Sequence, residues 1–165
     1  WLNPRIPYTA AMSTILSDLY ARNLAQIKGF TEGLSHAESL IQPPAGWNCM
    51  NWIVGHIACY RNRILGILDQ PLTLDPAIAG RYPRDSAPVL GDEPGIGQLA
   101  DLVAWIEAAQ PGLEAGLAAL TGARAAEMLT LGSFTMSRAD FMVFYMRHEA
   151  YHTGQLEFLS ALARM

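Results

Sequence analysis

A chain of 165 residues that is 51% hydrophobic and only 16% charged carries enough apolar surface for one compact domain, expected to span residues 1–165. Its 11 Lys and Arg are scattered and outnumbered by 15 Asp and Glu, for a net charge of −4, which excludes the basic stripe that would hold a nucleic-acid backbone. Apolar runs are broken by His, Arg, Asn or Gly well before the ~18 residues of a membrane span, and no segment has the layout of a signal peptide, so a soluble chain is expected, with neither nucleic acid nor membrane as partner.

Taken in chain order, Met12, Ile15, Leu16, Leu19, Leu24 and Ile27 follow helical spacing and predict helix one over residues 9–30. Ser35 followed by Glu38 matches a capping box and opens a short helical turn, which Pro43 and Pro44 stop. Asn48 is the expected N-cap of helix two, which runs to about Asp69 with Ile53, Ile57, Tyr60, Ile64 and Ile67 or Leu68 inward and His56 on the edge of that stripe. Residues 70–97 hold Pro71, Pro76, Pro83, Pro88 and Pro94 and predict a long crossover that joins two helices end to far end. Helix three follows over residues 96–120, with a kink expected at Pro111. Residues 121–135 form a second connection in which Met128 to Leu131 makes a short extended piece. Ser137, three before Asp140, caps a last helix reaching Ala163. Four helices and no sheet give an all-α four-helix bundle.

Cys49 and Cys59 are the only cysteines, and in one helix rising ~1.5 Å per residue they lie too far apart to bridge. A reduced, cytoplasmic protein is expected. The chain opens at Trp1 rather than Met, so further N-terminal residues are expected before it.

On the last helix His148-Glu149-Ala150-Tyr151-His152 spells H-E-x-x-H, the pattern of a zinc-peptidase helix. That reading requires a third ligand downstream. Only thirteen residues follow His152, and their one candidate, Glu157, points away from His152 at ~100° per residue. The peptidase reading therefore fails, but the i, i+4 pair does not: His148 and His152 lie one above the other on a face flanked by Phe141, Phe144, Tyr145, Leu156 and Leu159. A third imidazole must come from upstream. His56, in the apolar stretch Gly55-His56-Ile57-Ala58, is chosen over His36, which is read as a solvent-exposed connector residue. If helices two and four are neighbours, three neutral imidazoles converge on one side of a divalent ion and leave its other side open.

Around these ligands Glu149, about 100° from His148, either borders the cavity as a proton acceptor, the one catalytic candidate, or serves as an inter-helix carboxylate. Gln155 orients a ligand or bridges helices. Tyr60 and Tyr145, one turn from His56 and His148, are candidates for hydroxyl support of the site. Cys59 is read as a small core residue, Arg61 and Arg63 as lining the exposed side of helix two, and Trp47, Trp52 and Trp105 as core or interface anchors.

The stretches Gly46-Trp47-Asn48, Gly55-His56-Ile57-Ala58 and the C-terminal H-x-x-Y-H-x-G-Q-L of His148 to Leu156 resemble the DinB-like superfamily of four-helix metal-binding proteins, and the order of elements matches over almost the whole chain. The resemblance implies up-down-down-up topology, a metal triad of His56, His148 and His152 holding zinc or nickel, and a homodimer. Characterised members include transferases and isomerases that use low-molecular-weight bacterial thiols. The expected function is thus a divalent-metal-dependent hydrolase or thiol S-transferase acting on a small-molecule substrate, with such a thiol as co-substrate. The alternative is a non-catalytic, stress-related metal-binding bundle.

Overall fold

The structure, a computed structural model, describes residues 8–165; Trp1 lies outside them. It is built on four long helices, α1 (Ala10–Thr31), α3 (Met50–Ile67), α5 (Leu99–Ala119) and α7 (Arg138–Ala163), with short helices α2 (His36–Ser39), α4 (Pro76–Ala79) and α6 (Gly122–Ala125) and a 3-10 turn at Pro44–Gly46 in the connections. No helix among the described residues is long and apolar enough to cross a membrane.

Helix starts follow local chemistry. The Thr9 hydroxyl accepts from the Met12 N–H, Ser35 and Glu38 form the full capping box, and Ser137 accepts from the Asp140 N–H. Asn48 does not cap helix α3 as expected. The cap is Cys49, whose side chain makes no cap hydrogen bond, and the start is fixed instead by burial of nearly every residue from Cys49 to Ala58. Pro111 sits inside α5, which continues through it as one helix to Ala119.

Pairings along the helices give their directions. Asn51 Nδ2 donates to the Gly97 carbonyl, Arg61 to the Ile106 carbonyl, and Gly116 lies against Leu68, so α3 and α5 run the same way. A Cβ on Gly116 would stand 2.7 Å from the Leu68 Cβ, which is why this crossing needs glycine. Tyr20 bonds to Met142 and Arg164 to Glu32, so α1 and α7 are also parallel to one another. Helices α3 and α7 are antiparallel neighbours: Arg61 meets Glu149 near their middle, while Ile67 at the end of one meets Arg138 at the start of the other. The 68–98 crossover exists because two adjacent parallel helices cannot be joined by a tight turn.

One expectation is corrected: the bundle is not free of sheet. Met128–Leu131 (β1) pairs antiparallel with Phe134–Ser137 (β2) across a two-residue turn in which Gly132 has φ +60°. Both the Thr130 and Thr135 hydroxyls and the Phe134 and Phe144 rings meet across this hairpin and its helix.

The core is divided in two. One apolar cluster gathers Ile27, Ile53, Ile57, Leu102, Ile106 and Leu156, the other Leu16, Tyr20, Ile64, Leu65, Leu113 and Phe141. Between them every long helix contributes a polar group to one buried network of Asn23, Arg61, Gln110 and Glu149. Arg61 is fully buried, which corrects its expected place on the exposed side of helix two. Its Nε and Nη2 donate to the two Glu149 oxygens at 2.9 and 2.8 Å, Nη2 also to the Tyr20 carbonyl, and Nη1 to the Ile106 carbonyl and Gln110 Oε1. A guanidinium buried among apolar clusters is tolerated because its donors are matched by a carboxylate and by carbonyl oxygens. Arg63, by contrast, is exposed and lies over the Tyr60 ring.

Candidate metal centre

His56 from α3 and His148 and His152 from α7 meet between these two helices. His148 Nε2 lies 3.3 Å from His56 Nε2 and 3.2 Å from His152 Nε2. The three residues form a group able to hold a metal ion.

Ring orientation follows from the opposite nitrogens. His56 Nδ1 lies 2.8 Å from the Tyr82 carbonyl oxygen, which only accepts, so the proton of that ring is on Nδ1 and Nε2 presents a lone pair. His152 Nδ1 likewise faces Gln155 Oε1 at 2.7 Å. His148 Nε2 therefore sits between two acceptor nitrogens and has at most one hydrogen to offer them. At least one of the two close contacts sets lone pair against lone pair, an arrangement that a cation relieves. Protonation is disfavoured: burial, with the neighbouring histidines, pushes His148 down to about 3, and burial pushes His56 down to about 4 and His152 below its ordinary value. The two spacings from His148 Nε2, 3.3 and 3.2 Å, also fit. Metal–imidazole bonds of ~2.0–2.1 Å in tetrahedral geometry set nitrogens ~3.3–3.4 Å apart.

Aromatic rings hold the imidazoles in place. Trp52 stacks on His56 at 4.6 Å, while Tyr60 lies 4.6 Å from His56 and 4.3 Å from His148. Tyr60 and Tyr145, their rings 5.6 Å apart, thus reach the site through ring contacts, Tyr145 at right angles to His148, rather than through the expected hydroxyl contacts with the histidines.

Tyr82, in the crossover, anchors the far side. Its ring packs on the bare Cα of Gly55, where a Cβ would stand 2.4 Å from it. Its hydroxyl donates to Asn51 Oδ1 and accepts from the Gly97 N–H, both at 2.9 Å. A proline-rich loop is thereby fixed so that one of its carbonyls orients a buried histidine.

Two expectations are revised here. Glu149 does not border the cavity: its oxygens are held by Arg61 and Asn23 in the core, so the inter-helix role replaces that of proton acceptor. His36 is not a solvent-exposed connector residue. Its Nδ1 accepts from the Leu99 N–H at the start of α5, and its Nε2 faces Asp92 at 3.4 Å. Cys59 is half-buried and, like the buried Cys49, free, with its Sγ toward the Ala79 carbonyl.

The triad opens on a cavity of about 510 Å³. Its walls are Trp47, Trp52 and Ile53 before and on α3, Arg84 to Ser86 of the crossover, and Tyr151, Gln155, Phe158 and Leu159 of α7. Trp47 was expected as a core or interface anchor. It is not in the core, but stands exposed at this cavity.

A helical bundle with three convergent imidazoles beneath an open cavity defines a four-helix protein with a histidine group that could hold a metal ion. The chain belongs to the DinB superfamily, whose family model matches residues 19–156. Comparison with curated proteins finds no match.

Proposed function

We propose that the protein is a divalent-metal-dependent enzyme acting on a small molecule, by hydrolysis or by transfer of a low-molecular-weight thiol, with His56, His148 and His152 holding zinc or nickel. The observation that carries this reading is that the three histidines form one group able to hold a metal ion and that all three line the cavity. A structural site would be closed by a fourth protein ligand. An ion held here would supply Lewis acidity, lowering the pKa of a coordinated water or thiol toward neutrality.

The chain's own contribution is to bind and orient. The Tyr82 carbonyl and Gln155 Oε1 fix the two tautomers, and Trp52 and Tyr60 restrict ring rotation. Residues 1–165 are proposed as one domain of a cytoplasmic homodimer. The two free cysteines fit a reducing compartment.

The test is elemental mass spectrometry on untagged protein purified without added metal, beside His152→Ala. Near-stoichiometric zinc or nickel that the variant loses supports the reading and selects the metal for hydrolase and thiol-transfer screens. A chain without metal that takes none up on reconstitution overturns it. Full metal occupancy with no turnover in either screen favours the non-catalytic bundle.

A further inference from the structure

Resting on the metal-centre reading, we infer that the ligand taken at this site is amphiphilic, a small anionic metal-coordinating head joined to a flat apolar body the size of an aromatic ring.

The head follows from charge. Three neutral imidazoles bring no negative charge to a divalent ion. The nearest carboxylate in sequence, Glu149, is turned into the core and held by Arg61. Asp85, the one acidic residue lining the cavity, has its side chain 88% exposed at the rim and stands 3.7 Å from Arg84, so the two rim charges offset one another. The ion's charge is left for the ligand to balance.

The body follows from the walls. Trp52, Ile53 and Leu159 form the buried part of the lining. Trp47, Tyr151 and Phe158 line the same cavity and are 59%, 64% and 51% exposed, an unusual state for three large aromatic side chains drawn from two separate segments. Tyr151 and Phe158 are seven apart, two turns along one stripe of α7 that flanks the face carrying His148 and His152. The cavity size lies within the range of small-molecule sites. Aromatic surface above a metal-facing floor fits a ligand whose polar end goes down and whose apolar end stays near the mouth.

The experiment is calorimetric titration of the zinc-loaded full chain with acetohydroxamate and with benzohydroxamate, which share a metal-binding head and differ by the ring. Benzohydroxamate is expected to bind at least ~10-fold more tightly, the scale set by withdrawing a ring from water. That advantage should shrink in Trp47→Ala and in Phe158→Ala, while acetohydroxamate affinity changes little. Equal affinities for the two probes, or an advantage that survives both truncations, overturn the inference. A chain that takes up no zinc and binds neither probe overturns the metal-centre reading and this inference with it.

Discussion

The Nδ1 of His56 donates to the backbone carbonyl of Tyr82, 2.8 Å away, so a ring on helix α3 is oriented by the loop that leaves that helix. The loop is held by Gly55, directly before the histidine. Gly55→Ala would place a methyl group within 2.4–2.6 Å of the buried Tyr82 ring, forcing the ring and its carbonyl to move. The expected cost is ~1–3 kcal/mol of stability, with weaker zinc binding in the same variant. Urea denaturation and competition against a chelator measure the two effects; an alanine variant with wild-type values for both would show that the loop does not hold His56.

Gln155 provides the corresponding contact for His152. Gln155→Leu removes the acceptor while leaving the three ligands, and zinc affinity is expected to fall ~10–100-fold. Because Gln155 is only half-buried, the melting temperature of the metal-free protein should hardly change. A fall in metal-free stability without loss of affinity would assign Gln155 to packing instead.

Arg61→Leu strands the Glu149 carboxylate in the core. The expected loss is about 3–5 kcal/mol, much of it recovered in the double variant Arg61→Leu, Glu149→Leu, in which neither charge of the pair remains. Chemical denaturation of the two variants is the measurement. A double variant as unstable as the single one would mean that the network's links to Gln110, Asn23 and the Tyr20 and Ile106 carbonyls, rather than the charge pair, hold the bundle.

Acid should destabilise the metal-free protein. In the unfolded chain the three histidines take up protons near the ordinary value of ~6.5, whereas in the folded chain His56 and His148 do so only at about 4 and about 3, and His152 is also depressed. Between these limits the unfolded state binds more protons, so stability is intact above pH ~6.5 and declines as the pH falls toward 4. Urea midpoints between pH 7 and pH 4.5 in the presence of a chelator should show this decline, and His148→Ala should flatten it. A pH-independent midpoint would mean that the imidazoles are far better solvated than their packing against Trp52 and Tyr60 implies.

The sequence disclosed the triad because its determinants are local. The i, i+4 spacing puts His148 and His152 on one face, and the apolar company of His56 marks it as buried. The partners of those residues were harder to see, because they lie far away along the chain. Tyr82 is 26 residues from His56 in an irregular segment with no periodicity to read. Glu149 was placed correctly around the helix, but its partner is 88 residues distant. A signal for Arg61 did exist: Ile57, Arg61, Ile64 and Leu68 fall on one stripe at i, i+4, i+7 and i+11, and an arginine on an apolar stripe requires a buried counter-charge. The second strand of the hairpin also had a signal, since Gly132-Ser133 separates two short runs rich in Leu, Thr and Phe.

Parallel neighbours α3 and α5 oblige the chain to travel back the full length of the bundle before α5 can begin. That return journey supplies Arg84 to Ser86 to the cavity wall and a carbonyl to His56, while the ligand nitrogens stay on rigid helices. The crossover thus takes part both in shaping the cavity and in orienting one of the three histidines. Residues 84 and 85 can be exchanged to retune what the cavity admits, provided that Ser86 keeps its bond from Trp52 Nε1 and Tyr82 its grip on Gly55, Asn51 and Gly97. The detour imposed by topology is thus the segment most open to redesign.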